Sequence, residues 1–216
     1  MRPTVDLRLG DCLGMLDGLP PFDVIITDPP YPDHYTDAWP TTSIEFLGRW
    51  PCRQLVFWSA KVELPLDYSA IHIWAKTGVG LASMYERIFE RNGSGHYRVF
   101  RGTPVLNPVM ATFGRDIYCD HPAQKPIGLM RQLVEEFCPY GGTVFDPFMG
   151  TGTTGVACVE MGRNFLGIEL EERYYRMAEE RLSSARLIKS MGPTWSEQSV
   201  RKALSRRLAR FAKEHK

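Results

Sequence analysis

Short apolar segments, rich in β-branched and aromatic residues, alternate with helical patterns along this chain. Such segments suit strands whose two faces are both buried, as in a parallel sheet, because neither side of the strand meets water. They occur at residues 22–27, 55–58, 71–74, 143–145 and 164–168, and Val5–Leu9 adds an alternating strand. Strands that alternate with helices predict an α/β fold with an open, mostly parallel sheet and helices on both faces.

Three segments show the residue spacing of helices. Apolar residues recur on one face of Ile127–Phe137, and Pro126 precedes it as a typical helix-opening residue. The second helix covers Thr153–Met161 and ends at a glycine, and the third covers residues 171–188, with acids in its first turn. With the strands, these helices make residues 1–187 one predicted domain.

Residues 77–120 interrupt the alternation with many glycines and arginines, among which aromatic residues lie. We interpret this stretch as an insertion or a set of long loops, which are often functional in α/β proteins. Arginines bind phosphates and base edges, so a nucleic-acid-contacting segment is one interpretation. A lid that its aromatic residues pack on the core is the other.

The C-terminal segment is basic. Residues 186–216 contain nine Lys or Arg and two Glu, a net charge of +7 in a chain whose total is +1, so residues 1–185 carry −6. Residues 188–216 are therefore predicted to be a basic, helical tail, since an apolar stripe runs through them. Such a tail either contacts a polyanion or packs on the sheet as a solvated helix.

Composition limits the class of protein. With 216 residues, 44% hydrophobic and 24% charged, the chain has the proportions of a soluble globular protein. No apolar run approaches the roughly 20 residues that span a bilayer. The N-terminus lacks the layout of a signal peptide, so we expect a cytoplasmic protein that does not bind or span a membrane. The five Cys and five His show no metal-binding spacing, which predicts no metal.

A glycine-rich turn follows the apolar segment at residues 143–145. Gly150-x-Gly152-x-x-Gly155 opens a helix, and glycines let a ligand approach the backbone while helix N–H groups face it. By itself this spacing also matches the fingerprint of a site for a nicotinamide dinucleotide, in which Glu169 would bind a ribose.

The second motif, Asp28-Pro29-Pro30-Tyr31, ends the predicted strand at residues 22–27, where open α/β sheets place their active sites. Prolines remove N–H donors and leave carbonyls as acceptors. An Asp beside such a carbonyl forms a two-acceptor cradle for an amine, and Tyr31 offers a ring for stacking. A rigid turn capped by Asp28 is the alternative.

Together these segments resemble the amino-methylating DNA methyltransferases, a family that uses S-adenosylmethionine. Asp28-Pro29-Pro30-Tyr31 resembles their catalytic motif, and residues 145–154 resemble their cofactor loop. Residues 164–169 resemble the next strand, whose acid holds the cofactor ribose. Gly10-Asp11-Cys12 resembles the turn near the cofactor adenine, and residues 121–126 and 73–76 match two further segments.

The resemblance implies the site residues. The catalytic set is Asp28, Pro29, Pro30 and Tyr31. S-adenosylmethionine, which becomes S-adenosylhomocysteine, is expected to contact Asp11, Cys12, Asp28, Lys125, Asp146, Pro147, Phe148, Gly150, Gly152, Thr153, Thr154, Glu169 and Leu170. Double-stranded DNA is the expected partner, contacted by Lys76, Arg87, Arg91, Arg98, Arg101 and Arg115. No metal is implied.

The order of the motifs implies the class. The catalytic motif precedes the cofactor loop, as in the beta class of adenine-N6 and cytosine-N4 methyltransferases, of bacterial or viral origin and often linked to restriction–modification. Asp at position 28 favours adenine. Residues 77–120 are short for a recognition region, which suggests a short DNA site or a second subunit; a homodimer is one option, since relatives often pair.

The implied reaction is methylation of adenine N6 in a base flipped out of the duplex. Accepting both hydrogens of the amine, by the Asp28 carboxylate and the Pro29 carbonyl, would localise its lone pair toward the methyl group. The alternatives are a cytosine-N4 or RNA-directed enzyme, a non-catalytic DNA-binding relative, and a nicotinamide-dependent oxidoreductase.

Overall fold

The computed structural model describes residues 2–34, 43–77, 84–104 and 123–191 together with Arg206. In this part of the chain, eight strands form one sheet: β1 Val5–Leu9, β2 Val24–Thr27, β3 Arg53–Trp58, β4 Ala70–Lys76, β5 Tyr85–Arg91, β6 Val99–Gly102, β7 Thr143–Asp146 and β8 Asn164–Glu169. The same residues form three α-helices: α1 Ile127–Phe137, α2 Thr153–Met161 and α3 Glu172–Met191. Short 3₁₀ helices lie at Cys12–Met15, Pro32–His34 and Glu45–Arg49.

The strand order is β1-β8-β7-β2-β3-β5-β4-β6. Neighbouring strands pair in parallel except at β5, which runs antiparallel to both β3 and β4. The predicted α/β fold with an open, mostly parallel sheet is confirmed. Among the described residues, no helix is long and apolar enough to cross a bilayer.

The strand order reverses between β2 and β7. These strands are adjacent and parallel, but the chain continues from β2 to β3 on one side and from β7 to β8 on the other. Such a reversal leaves a crevice beyond the carboxyl ends of the strands, because the following segments diverge to opposite sides. Asp28 follows β2 and the glycine loop follows β7, so both motifs open onto this crevice.

Two hydrophobic cores cover the two faces of the sheet, because successive side chains of a strand point to opposite faces. Val24 and Ile26 of β2 join the core that contains the buried residues of α1, α2 and α3. Ile25 joins the other core, with Phe145 and with Leu47 from the 3₁₀ helix at Glu45–Arg49. The described α-helices therefore pack on one face, and 3₁₀ helices and loops cover the other. The prediction of helices on both faces thus holds for the described residues only with 3₁₀ helices on the second face.

The helices agree with the sequence patterns. Helix α1 begins after Pro126, and α2 ends at Gly162, whose φ of 79° is the left-handed conformation that glycine adopts most easily. Helix α3 continues to Met191, past the predicted end at residue 188. Beyond it the predicted basic tail lies outside the described residues except for Arg206.

Of the two interpretations of residues 77–120, an insertion or a set of long loops, the second is wrong where β5 and β6 form. Strand β5 carries charges that hide its strand pattern, and two of them are buried. Glu90 lies 3.1 Å from Arg53 Nε and 3.3 Å from His72 Nε2. Arg91 donates to Asp67 O at 2.7 Å. Because buried charges are tolerated when they are paired, a charged segment can be an interior strand. Residues 78–83 and 105–120 lie outside the described residues.

Gly155→Ala tests the packing of α2 on the sheet. A Cβ at this position would lie 2.5 Å from Phe165 Cδ1 and 2.9 Å from Leu182 Cδ2, both in the core. We expect overpacking to lower the free energy of unfolding by about 1–3 kcal/mol, as measured by urea denaturation. The matched control is Gly128→Ala in α1, where a Cβ meets nothing within 4 Å and a gain of about 0.5–1 kcal/mol is expected. Equal effects of the two substitutions would contradict the packing argument.

Candidate active site

A cavity of about 410 Å³ opens at the carboxyl ends of the parallel strands. Segments that follow β1, β2, β7 and β8 line it, together with side chains from β4, β5 and the segment before α1. The predicted catalytic and cofactor residues all line this cavity except Gly152: Asp11, Cys12, Asp28, Pro29, Pro30, Tyr31, Lys125, Asp146, Pro147, Phe148, Gly150, Thr153, Thr154, Glu169 and Leu170.

The backbone of the glycine loop can only be built with glycines. Gly150 and Gly152 have φ values of 53° and 74°, in the left-handed region that other residues rarely adopt. Gly152 is also the residue that precedes α2, and a Cβ there would lie 2.9 Å from the Ala178 Cβ of α3. The loop therefore turns sharply into α2 while α3 packs directly beneath it.

The buried carboxylate of Asp146 holds the two halves of the crevice together. Its Oδ1 accepts hydrogen bonds from Thr27 Oγ1 at 2.8 Å and from Phe148 N at 3.2 Å, and its Oδ2 accepts from Thr154 Oγ1 at 2.8 Å. Burial raises the pKa of Asp146 to about 7, although these three donors oppose the shift. Asp146 thus joins β2, β7 and α2, so it stabilises the fold as well as lining the cavity.

Glu169 brings a second carboxylate to the loop from the end of β8. Its Oε2 accepts from Gly150 N at 2.8 Å, and its Oε1 accepts from Glu171 N at 2.9 Å. Burial raises the pKa of Glu169, and the backbone donors counteract that rise. Each carboxylate oxygen has two lone pairs, so both can accept a further hydrogen bond from a hydroxyl group in the cavity.

The turn after β1 supplies Asp11 and Cys12. Asp11 caps the 3₁₀ helix Cys12–Met15, because its Oδ1 accepts from Leu13 N at 2.9 Å. Cys12 is buried, and burial and the neighbouring Asp11 raise the pKa of its thiol to about 12. A thiol with such a pKa stays protonated and is a weak nucleophile, so Cys12 is a wall residue of the cavity.

Both carboxylate oxygens of Asp28 have partners in the cavity. Its Oδ1 accepts from Tyr31 Oη at 2.8 Å, and its Oδ2 accepts from Lys125 Nζ at 2.5 Å. Burial raises the pKa of Asp28, and Lys125 and Tyr31 offset part of that shift. Lys125 Nζ also lies 3.3 Å from Glu86, which in turn pairs with Lys76 at 2.7 Å. Two acids and two lysines thus alternate along one side of the cavity.

The six residues predicted to contact DNA have different surroundings. Arg91 is 8% exposed and donates to Gln54, Asp67 and Leu47, so we withdraw it from that set. Arg87 donates to Ser59 O and Val62 O. Lys76 pairs with Glu86, and Arg98 pairs with Glu136 at 2.6 Å. Arg101 is exposed, and Arg115 lies outside the described residues.

Two residues of the site carry no motif in the sequence. Arg181 of α3 is buried beneath the glycine loop, where its Nη1 donates to Thr151 O at 2.7 Å, Thr151 Oγ1 at 2.8 Å and Thr153 Oγ1 at 3.0 Å. Glu86 enters the cavity from β5, a strand that the sequence analysis did not find. Their partners lie far away along the chain, so no local pattern reveals them.

Comparison with known proteins agrees with the site. Residues 98–180 match the N6/N4 methyltransferase family model, described as DNA methylase. YubD of Escherichia coli (strain K12), which is named as a methylase, is 26% identical over 209 residues that cover 85% of this chain and 92% of YubD. Over residues 98–180 the chain is therefore similar to the N6/N4 DNA methylases. The glycine loop lies within the segment that matches this model, so its spacing has a methylase counterpart and is not by itself evidence for an oxidoreductase.

Other curated relatives match over a smaller share of their length. The DNA adenine methyltransferase YhdJ of Escherichia coli (strain K12) is 40% identical over 70 residues, which cover 32% of this chain. The aligned part is about a quarter of YhdJ, 24% of its length.

Two solved methyltransferase structures share the fold of this chain. M1.HpyAVI in complex with S-adenosylmethionine has a TM-score of 0.58 and 22% identity, with 83% of this chain and 100% of that chain covered. The cytosine-N4-specific PvuII DNA methyltransferase has a TM-score of 0.58 and 12% identity, with 96% and 93% covered. At these identities the likeness concerns the fold alone.

Asp146→Asn tests the raised pKa of Asp146. The pKa of the Asp146 carboxyl is about 7 in the folded state, and we take its ordinary value of 3.8 for the unfolded chain. The protonated carboxyl therefore makes its full contribution to the free energy of unfolding below about pH 4. That contribution is lost as the pH rises through about 7, whereas an amide has no such dependence. Relative to Asp146→Asn, the wild type should lose on the order of 1–4 kcal/mol of unfolding free energy between pH 4 and 7 in urea denaturation.

The matched control is Asp17→Asn, which alters an exposed carboxylate in a pair with Arg49. We expect this variant to follow the wild-type pH dependence. If Asp146→Asn follows it as well, the buried carboxylate does not titrate as described.

Proposed function

We propose that the chain is an S-adenosylmethionine-dependent DNA methyltransferase that methylates the N6 amine of adenine in double-stranded DNA. The observation that carries the proposal is the convergence of the Asp28 carboxylate and the glycine loop on one cavity at the strand-order reversal. A polar acceptor for an amine thus lies beside a loop suited to a nucleotide-like cofactor. The match of residues 98–180 to the N6/N4 methyltransferase model and the S-adenosylmethionine complex of M1.HpyAVI support the same reaction.

The residues of the cavity fit S-adenosylmethionine. The left-handed glycines Gly150 and Gly152 keep the loop free of side chains, so a ligand can approach the backbone. Glu169 has acceptor capacity left for the ribose hydroxyls, and Asp11 and Phe148 would flank the adenine part. When bound, the cofactor supplies a methyl group that its sulfonium already activates.

The chain itself must then prepare the amine. The exocyclic nitrogen of adenine is a poor nucleophile because its lone pair is delocalised into the ring. We infer that the Asp28 carboxylate and the Pro29 carbonyl accept its two hydrogens and so localise the lone pair. Positioning and a preorganised negative charge are the two contributions that these residues make to the rate.

The target base must leave the duplex to reach Asp28, at a cost of a few kcal/mol in stacking and pairing. Tyr31 offers a ring at the cavity, where it packs beside Trp58 with ring centroids 6.0 Å apart. We propose that the flipped base stacks on Tyr31, which offsets part of that cost.

Adenine is the proposed target, and N4 of cytosine is the alternative. The acid at position 28 and the relationship to an adenine methyltransferase such as YhdJ favour adenine. The shared fold with PvuII methyltransferase keeps cytosine as the second candidate. Both bases present an exocyclic amine, so the cradle at Asp28 suits either one.

Contacts to DNA are proposed for Arg98 and Arg101 of the segment around β6, for Lys76 and Arg87, and for Arg115. A homodimer is proposed as well. We also propose that the protein is of bacterial or viral origin and acts in the cytoplasm of a bacterium, and the bacterial relatives favour that location. Incubating the protein with labelled S-adenosylmethionine and unmethylated DNA, followed by digestion and identification of the modified nucleoside, tests the function. N6-methyladenine supports the proposal, N4-methylcytosine selects the alternative, and no label contradicts both.

Glu169→Ala should weaken binding of S-adenosylmethionine. Loss of a charge-assisted hydrogen bond to a ribose is worth on the order of 1.5–3 kcal/mol, and the loop also loses the bond from Gly150 N. Titration calorimetry measures the affinity. Glu172→Ala, at the exposed start of α3, is the control and should bind as the wild type does.

Asp28→Ala should abolish methyl transfer while cofactor affinity stays nearly unchanged. Asp28 is proposed to touch the amine, so its loss falls on the transition state and lowers the rate by about 10²–10³ or more. Single-turnover methylation of a defined duplex measures the rate, and calorimetry measures the affinity. Wild-type turnover by this variant would show that the motif is only a turn.

A further inference from the structure

A row of four alternating charges, which we call the cavity charge row, lines the side of the cavity next to Asp28. It runs from Asp28 through Lys125 and Glu86 to Lys76, with N···O distances of 2.5, 3.3 and 2.7 Å. The four side chains are only 10–22% exposed. In so little water, each charge depends on its neighbours for solvation.

Lys125 is the member that joins separate parts of the fold. It precedes α1, whereas Asp28 follows β2 and Glu86 belongs to β5. Its ammonium group lies between two carboxylates and above two aromatic rings, 5.0 Å from the centroid of Phe57 and 5.9 Å from that of Tyr31. A lysine side chain is flexible, but these partners from different elements confine its head group to one place.

We propose that Lys125 is a positioning residue that holds the Asp28 carboxylate ionised and oriented toward the target amine, and that it is not a ligand of the cofactor. The inference rests on the proposed function of Asp28 as acceptor. Without Lys125, the carboxylates of Asp28 and Glu86 would face each other across a poorly solvated space. One of them would then take up a proton, and a protonated Asp28 donates a hydrogen bond where an acceptor is needed.

The position of Lys125 also selects the oxygen that receives the amine. Lys125 holds Oδ2 of Asp28, so Oδ1 remains for the substrate. In the structure Oδ1 accepts from the Tyr31 hydroxyl and keeps a second lone pair, with which it can accept a hydrogen of the amine. Lys125 therefore keeps Asp28 anchored through one oxygen while the other accepts from the substrate.

The charged and titratable groups around Asp28 act in opposite directions. Lys125 and the hydroxyl of Tyr31 lower its pKa, whereas Glu86 and burial raise it. The buried Asp146 adds a further acid nearby, and Lys76 acts indirectly by pairing with Glu86. Replacing Lys125 or Glu86 should thus shift the ionisation of Asp28 in opposite directions, which a purely structural effect would not do.

The test compares Lys125→Met, Lys125→Arg and Glu86→Gln with the wild type, each as the full chain. Single-turnover methylation is measured from pH 5 to 9 (roughly the range in which proteins stay folded), and the affinity for S-adenosylmethionine is measured by calorimetry. Activity requires ionised Asp28, so it falls as the pH drops through the pKa of that residue. We call this fall in the rate at low pH the acidic limb of the profile. In Lys125→Met the acidic limb should lie about one to three pH units higher than in the wild type, so that raising the pH restores the rate.

The other two variants supply the controls. Lys125→Arg keeps the positive charge and should keep the acidic limb near its wild-type position, and Glu86→Gln, which removes a nearby negative charge, should move the limb to lower pH. All variants should bind S-adenosylmethionine within about twofold of the wild type. A Lys125→Met limb that coincides with the wild-type limb overturns the inference, and so does a cofactor affinity that falls more than about tenfold in that variant.

A readout that needs no turnover separates this inference from the proposed function. The carboxyl carbon of Asp28, assigned by its absence in Asp28→Asn, is titrated by ¹³C NMR in the protein without DNA. Its pKa should rise in Lys125→Met and not in Lys125→Arg. If the wild type methylates no DNA, the proposed function fails while this titration still decides the role of Lys125; an unshifted carboxyl pKa contradicts that role even in an active enzyme.

Discussion

The buried carboxylate of Asp146 connects the parts of the fold on which the cavity is built. Through Thr27 it reaches the end of β2, through Thr154 it reaches α2, and it belongs itself to β7. The segment after β2 contains Asp28 and the segment after β7 is the glycine loop, so one carboxylate fixes the spacing of the proposed catalytic and cofactor halves. Burying it is unfavourable, and three hydrogen-bond donors offset that penalty.

The glycine loop depends on a second buried contact. Gly152 and Gly155 let α3 approach closely, because a side chain at either position would overlap residues of that helix. The guanidinium of Arg181 then fills the space under the loop and bonds to Thr151 and Thr153. A loop held from below by a rigid helix keeps its upper surface open, which is the property that a backbone site for a nucleotide-like ligand requires.

Electrostatics complete the arrangement at Asp28. A proposed acceptor for an amine must be secluded enough to act strongly and yet remain ionised, and burial works against ionisation. In the cavity charge row, Lys125 pairs with one oxygen of Asp28 and so favours its ionised form within the cavity. Glu86 pairs with Lys125, and Lys76 pairs with Glu86, so each charge has a neighbour of opposite sign. The four charges come from β4, β5, the segment after β2 and the segment before α1, so parts that lie far apart in the chain together shape the site.

The sequence by itself determined the α/β class, the three helices and the two motifs that meet at the crevice. These features depend on local spacing: apolar runs for strands, Pro126 and Gly162 at helix ends, and glycines where φ is positive. Strands β5 and β6, the pairing of Lys125 with Asp28 and the place of Arg181 were decided only by the tertiary structure. Arg91 looks like a surface charge in the sequence, yet it is buried against Gln54 and Asp67. Whether a charged residue is buried and paired depends on partners far along the chain, and only the folded sheet brings those partners together.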